Sequence, residues 1–247
     1  MIKAAIEKIL EISSADKGLV ERLDGTYTKD NLTRIKASNQ KQPEALVFHT
    51  LSGLVEFIDS QSNGAGYNLI DLSSAAVQVS DYKSVRLIGP IQSDNDNERF
   101  SFAKAILDVD GFKFGTWFDL EMFVIALQSQ FVVSKEIEKI LQVIGNLASE
   151  RVRTQKDSGF TQSVQVKVGI TLKSEVEIKN PIVLRPWRTF REAVQPTSAC
   201  VLRLRESKEG IECALWESDG GAWRLEAVKA VAEWIKANLA SSIKIYA

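Results

Sequence analysis

The sequence predicts an α+β fold, with largely antiparallel sheets, a central αα-hairpin and a C-terminal amphipathic helix. Three observations lead there. The apolar period switches between 3.6 and 2 along the chain, so both helices and half-buried strands are present. Helical blocks fall at the start, middle and end, while the strands fall in two separate groups. Strands and helices do not alternate regularly, which disfavours a doubly wound parallel sheet.

Residues 1–24 read as one or two short amphipathic helices, interrupted by Ser13-Ser14-Ala15-Asp16 and punctuated by Gly18 and Gly25. Asn39-Gln40-Lys41-Gln42-Pro43 is turn-like. A helix is expected over 50–60, with Leu51, Leu54, Val55 and Ile58 on one face, ended by Ser62-Asn63-Gly64-Ala65-Gly66. Strands follow at Ala75–Ser80, Ser84–Ile88 and Arg99–Leu107. Asp110-Gly111 followed by Phe112-Lys113-Phe114 suggests a tight hairpin.

The clearest helical block is 119–147. Asp119 is placed to cap a helix through Gln130 whose core face carries Met122, Phe123, Ile125, Ala126 and Leu127. Ser134 can cap a second helix, with Ile137, Ile140, Leu141 and Ile144 at helical spacing and Gly145-Asn146 closing it. The short Phe131-Val132-Val133 link makes the pair an αα-hairpin.

From residue 160 the period becomes 2. Gln162–Leu172 reads as one strand, followed by Val176–Ile178 and Ile182–Leu184. Ala199–Arg205 and Ile211–Trp216 form a hairpin around Ser207-Lys208-Glu209-Gly210. After the Asp219-Gly220-Gly221 turn, Ala222–Leu239 is a helix with a buried stripe of Trp223, Ala227, Val231, Trp234 and Ile235. A soft boundary near 148–160 divides an N-terminal α+β half (1–150) from a C-terminal sheet with its helix (151–247), or the two form one compact domain. The length of 247 residues allows either, and is enough to bury a core without disulfide or metal staples.

The residue inventory excludes several chemistries. There is one His and there are two Cys. Structural zinc sites need four ligands, drawn mostly from His and Cys, and His49, Cys200 and Cys213 contain no close-spaced pair. Any nucleophile–His dyad would have to use His49, which sits in the apolar run Val47-Phe48-His49-Thr50-Leu51 and is expected to be partly buried with a structural hydrogen bond. Cys200 and Cys213 read as reduced thiols on adjacent strands, close together in a hairpin. Asp94-Asn95-Asp96-Asn97-Glu98 starts like a calcium loop, but Arg99 and Ala105 stand where Gly and the bidentate Glu are required. Neither Asn63-Gly64-Ala65-Gly66 nor Asp219-Gly220-Gly221 has P-loop or dinucleotide-fingerprint spacing. No catalytic set, metal site or cofactor is expected. The opening Met1–Leu10 run has helical periodicity with interleaved charge, unlike a signal peptide, and no apolar run approaches membrane-spanning length. A cytoplasmic location with no membrane partner is expected.

The near-neutral total, net −1, hides an asymmetry. Residues 151–205 contain eleven basic and four acidic residues, a net of +7; residues 1–150 carry −6 and residues 206–247 carry −2. A basic middle inside an acidic chain suggests a face that meets something negative, either nucleic acid or another copy of the chain. Its sharpest feature is Arg185-Pro186-Trp187-Arg188-Thr189-Phe190-Arg191. Cations that follow phosphates, interleaved with aromatic faces that stack bases, are a common way to hold single strands. Arg185, Trp187, Arg188, Phe190 and Arg191 are therefore the candidate binding residues. The alternative is a loop whose Trp187 and Phe190 plug the core while its arginines pair with carboxylates.

The runs Phe114–Glu121, Ala126–Phe131, Ile144-Gly145-Asn146-Leu147, Arg188–Glu192 and Asp219–Ala227 together resemble a family of uncharacterised phage and prophage proteins, the YfdQ-like group. The likeness covers residues 45–240. It implies an early, non-virion phage protein acting in the bacterial cytoplasm among replication and recombination functions. It implies no reaction and no catalytic residues. The expectation is therefore a non-enzymatic accessory factor that associates with single-stranded nucleic acid. The alternative is an oligomeric interaction protein, a homo-oligomer that binds or blocks a host protein.

Overall fold

The computed structural model describes residues 19–22, 25–28, 44–62, 70–92, 98–149, 152–157, 161–168, 171–208 and 210–247. The chain divides into two units: Met1–Glu44 with Ile91–Phe100, and Ala45–Pro90 with Ser101–Ala247. In the first, Leu19–Arg22 (β1) pairs antiparallel with Gly25–Thr28 (β2). This corrects the helical reading of residues 19–22. Asp24-Gly25 is a hairpin-turn signal, and Thr26, Tyr27 and Thr28 favour extended backbone. The helices expected over residues 1–18 and the turn at 39–43 lie outside the described residues.

The second unit is α+β, with mostly antiparallel sheets. A five-stranded sheet has the order β14-β4-β5-β6-β3. Its strands are Leu46–Phe48 (β3), Ala76–Asp81 (β4), Ser84–Gln92 (β5), Glu98–Ile106 (β6) and Lys244–Tyr246 (β14). β4 and β5 are antiparallel, whereas the edge strands β3 and β14 run parallel to β6 and β4. Alternate residues of the inner strands share one face: Val77 and Val79, Val85 and Leu87, Ala103 and Ala105. Onto that face pack Leu51–Ser62 (α1), through Leu51, Leu54, Val55 and Ile58, and Trp223–Asn238 (α4), through Val231, Ala232 and Ile235. Trp223 and Ala227 of the expected stripe are buried, and Trp234 is half-buried. Asp59 of α1 accepts the backbone N–H groups of Ala240 and Ser241 at 3.2 and 3.0 Å, steering the chain from α4 into β14.

A four-stranded sheet has the order β11-β12-β13-β7, from Phe118–Asp119 (β7), Ile182–Leu184 (β11), Ser198–Ser207 (β12) and Gly210–Glu217 (β13). Leu120–Gln130 (α2) and Lys135–Ser149 (α3) cover it, burying Phe123, Leu127, Ile137, Ile140 and Ile144 beside Leu184, Leu202, Leu204 and Leu215. The caps act as expected: Asp119 Oδ1 accepts from Met122 N at 2.7 Å, and Ser134 Oγ from Ile137 N at 3.3 Å. Each of the two cores draws on residues from both sides of the 148–160 stretch.

Several local expectations are corrected. Met122 and Ile125 are about half exposed, because Phe123, Ala126 and Leu127 already fill the contact with the sheet. Phe112–Phe114 forms no hairpin strand. The rings of Phe112 and Phe114 lie 4.9 Å apart and join Phe131, and Gly115 N–H donates to Leu215 O at 2.8 Å, so ring packing replaces a ladder. α3 runs through Gly145-Asn146 to Ser149, a helix-interior glycine costing only about 1 kcal/mol relative to Ala. The strand read as Gln162–Leu172 is two, Thr161–Val168 (β9) and Thr171–Lys179 (β10), with Val168 opposite Thr171; Gly169 lies outside the described residues. Val152–Asp157 (β8), in the stretch read as a boundary, completes that three-stranded antiparallel sheet. His49 is exposed, since Leu51 takes the core position at the start of α1. Residues 63–66 and 94–97 lie outside the described residues.

The two cysteines are free, buried and not opposite each other: Cys213 pairs with Leu204, and Cys200 with Glu217. They are roughly 13 Å apart along the ladder at about 3.3 Å per residue. Burial pushes both thiols from an ordinary 9.0 up to about 12. Native protein at pH 8 is therefore expected to leave a thiol reagent unreacted, with two equivalents consumed on denaturation. Rapid native labelling would contradict this burial. Because the folded thiols hold their protons more tightly than unfolded ones, their contribution is intact below pH 9 and is lost as pH rises towards 12.

Candidate functional site

The basic aromatic run forms a strap leading from β11 to β12. At its start the backbone pairs with the end of α2: Val132 N–H donates to Arg185 O at 2.8 Å, and Trp187 N–H to Gln130 O at 2.9 Å. A buried Gln195 then holds the strap in a tight curl. Its Oε1 accepts from Arg188 N at 2.9 Å and Thr189 N at 3.2 Å. Its Nε2 donates to Thr189 O, Phe190 O and Ala193 O. Glu192, from the same curl, caps α1 by accepting from Leu51 N at 2.9 Å and from Ser52 N. Gln195 and Glu192 supply hydrogen bonds that an irregular buried segment would otherwise lack.

This geometry separates the five candidate residues. Phe190 has 0% exposure and lies in the core under α1 and α4, so its ring cannot stack on a ligand; its assignment as a binding residue is corrected. Arg188 is 7% exposed. Its guanidinium lies between two rings, 4.2 Å from the centroid of Trp223 and 4.6 Å from that of Phe114. Its Nη1 donates to Ser198 Oγ at 2.9 Å and its Nη2 to Glu217 Oε1 at 2.5 Å. Ser198 Oγ in turn donates to Asp219, whose other oxygen accepts from Gly221 N at 3.0 Å. Gly220 and Gly221 both adopt left-handed backbone, with φ of 62° and 82°, so the turn into α4 needs glycine at these positions. Burial draws the Arg188 pKa below its ordinary value, and the adjacent Glu217 carboxylate opposes that shift. The fate expected for the arginines of a core-plugging loop is thus met at Arg188.

Arg185, Trp187 and Arg191 remain accessible. Arg185 and Arg191 are exposed and Trp187 is half-buried. The Arg191 guanidinium lies 4.6 Å from the Trp187 ring centroid, over one face. Trp187 also borders a surface pocket of about 160 Å³. Arg188 and Glu217 lie in its wall, with Phe112, Phe114 and Trp223. Tyr82 and Lys83, from the β4–β5 turn, line it too, with Val109 and Gly111; Thr189 Oγ1 donates to Tyr82 O at 2.6 Å and Tyr82 packs edge-on against Trp223 at 4.8 Å. Among the described residues the Lys83 ammonium has no carboxylate partner, although it lies 5.8 Å from the Tyr82 ring centroid.

Sequence reading missed Tyr82, Lys83, Phe114, Glu217 and Trp223 as neighbours of the strap. One signal was available: an arginine between aromatics needs a carboxylate when buried, and Glu217 and Asp219 both precede the Gly-Gly turn. Among the described residues no group of three or more His, Cys, Asp or Glu side chains is placed to hold a metal ion. No helix among them is long and apolar enough to cross a membrane. No family model, curated protein or solved structure matches this chain.

Proposed function

We propose that the protein is a non-enzymatic accessory factor that binds single-stranded nucleic acid, in the phage replication or recombination setting implied by its resemblance to the YfdQ-like group. The observation that carries this reading is the half-buried Trp187 lining the pocket, with Arg191 over its ring, exposed Arg185 beside it in the strap and Lys83 in the pocket wall. Base–aromatic stacking supplies about 1–3 kcal/mol per base, and the cations neutralise the flanking phosphates. A labelled single-stranded oligonucleotide should bind reversibly with salt. Trp187→Ala should weaken binding about tenfold with little change in stability. Arg185→Ala should lower the magnitude of the slope of log affinity against log salt by about 0.7, the single-strand value per phosphate contact. Absence of binding at low salt would overturn the reading.

The exposure of Met122, Ile125 and Val133 on α2 and its link, and of Val183 on the edge strand β11, favours a second reading, an oligomer or a host-protein binder. Light scattering with and without the oligonucleotide separates the two. A stable oligomer that ignores the strand would select the second.

A further inference from the structure

We infer that the pocket beside Trp187 takes one unstacked base from the strand, and that Glu217 makes that base cytosine in preference to thymine. The inference rests on the strand-binding reading and adds its base selectivity. Size comes first. The pocket holds about 160 Å³, and a cavity of about 150 Å³ is enough for a benzene ring. One six-membered ring therefore fits, while the second ring of a purine would project. The walls come next. Trp187 lines the pocket and is half-buried, whereas the rings of Phe114 and Trp223 are already engaged by Arg188.

Hydrogen bonding then discriminates between the pyrimidines. Glu217 is 30% exposed and lines the pocket. Arg188 occupies its Oε1, and its Oε2 has no hydrogen-bond partner among the described residues. An ionised carboxylate only accepts. The cytosine N4 amino group can donate to it, and carboxylate-to-cytosine N4 is an established pairing. Thymine presents O4 at that position, and its N3–H is flanked by two carbonyl oxygens that a carboxylate repels. Arg188 also holds Glu217 in place, so the acceptor is oriented before the base arrives. Lys83, a cation in the pocket wall with no carboxylate partner among the described residues, is available to the phosphate of the inserted nucleotide.

The test measures the affinity of the wild-type protein for short homopolymers of deoxycytidine and of thymidine at pH 7.5, by anisotropy, alongside free deoxycytidine monophosphate. The expected result is about tenfold tighter binding of oligo(dC) than oligo(dT). Glu217→Gln, which adds a donor for O4, should bring the two within about twofold. Salt-sensitive binding with equal affinity for both homopolymers would overturn the base selectivity while leaving strand binding intact. No binding of either strand would overturn strand binding; if the mononucleotide still bound the wild type and not Glu217→Gln, the pocket assignment would survive as a nucleotide site. The wild-type ratio decides the matter even if the variant folds poorly.

Discussion

Replacing Arg188 with alanine is expected to cost about 3 kcal/mol of stability, the lower end of the range for breaking a buried ion pair from one side. The partly exposed Glu217 recovers some solvent, which places the estimate at that lower end. The remainder has three sources. Ser198 loses a charged donor, two aromatic faces lose the cation between them, and truncation leaves a void between Phe114 and Trp223. Arg188→Lys should recover only part, because one ammonium cannot reproduce two nitrogens aimed at Ser198 and Glu217 while stacking flat between rings. Urea denaturation gives the numbers, and a double-mutant cycle with Glu217→Ala isolates the pair. A loss below about 1 kcal/mol for Arg188→Ala would mean that the ring stacking and ion pair contribute little net stability.

Phe190→Ala should be at least as damaging, at about 3–5 kcal/mol for a fully buried aromatic. Its ring fills the space between α1, α4 and the five-stranded sheet, at the tip of the curl held by Gln195. The same variant, measured where it remains folded, should bind an oligonucleotide like the wild type. Trp187→Ala should do the reverse, sparing stability and losing affinity. Two aromatics three residues apart would then separate into packing and recognition. A well-folded Phe190→Ala protein with lost affinity would reverse that division.

What could be read ahead of the structure was local. α2, α3 and the β12–β13 hairpin follow from caps, periodicity and turn residues within a few positions of each other, as Asp119 and Ser134 illustrate. β3 and β14 could not be read this way. Three residues hold no measurable period, and their partners, β6 and β4, are far along the chain. The strap was legible as a composition of arginines and aromatics, but not as an orientation. Whether Arg188 points inward depends on Glu217, Phe114 and Trp223, each contributed by a different segment. The curl that buries Phe190 depends on Gln195, an amide with no periodic signature.

The placement of β14 also bears on how the molecule is built in time. β4 gains this neighbour through residues 244–246 pairing with 76–78, a separation of more than half the chain. Between them lie β5, β6, the αα-hairpin, two further sheets and α4. Contacts of such high contact order slow folding, because the loop must close before the pairing contributes. Until it does, β4 offers an open edge on which another nascent chain can template. The two hydrogen bonds from Ala240 and Ser241 to Asp59 give the late strand its approach, anchoring it to a helix formed early in the sequence.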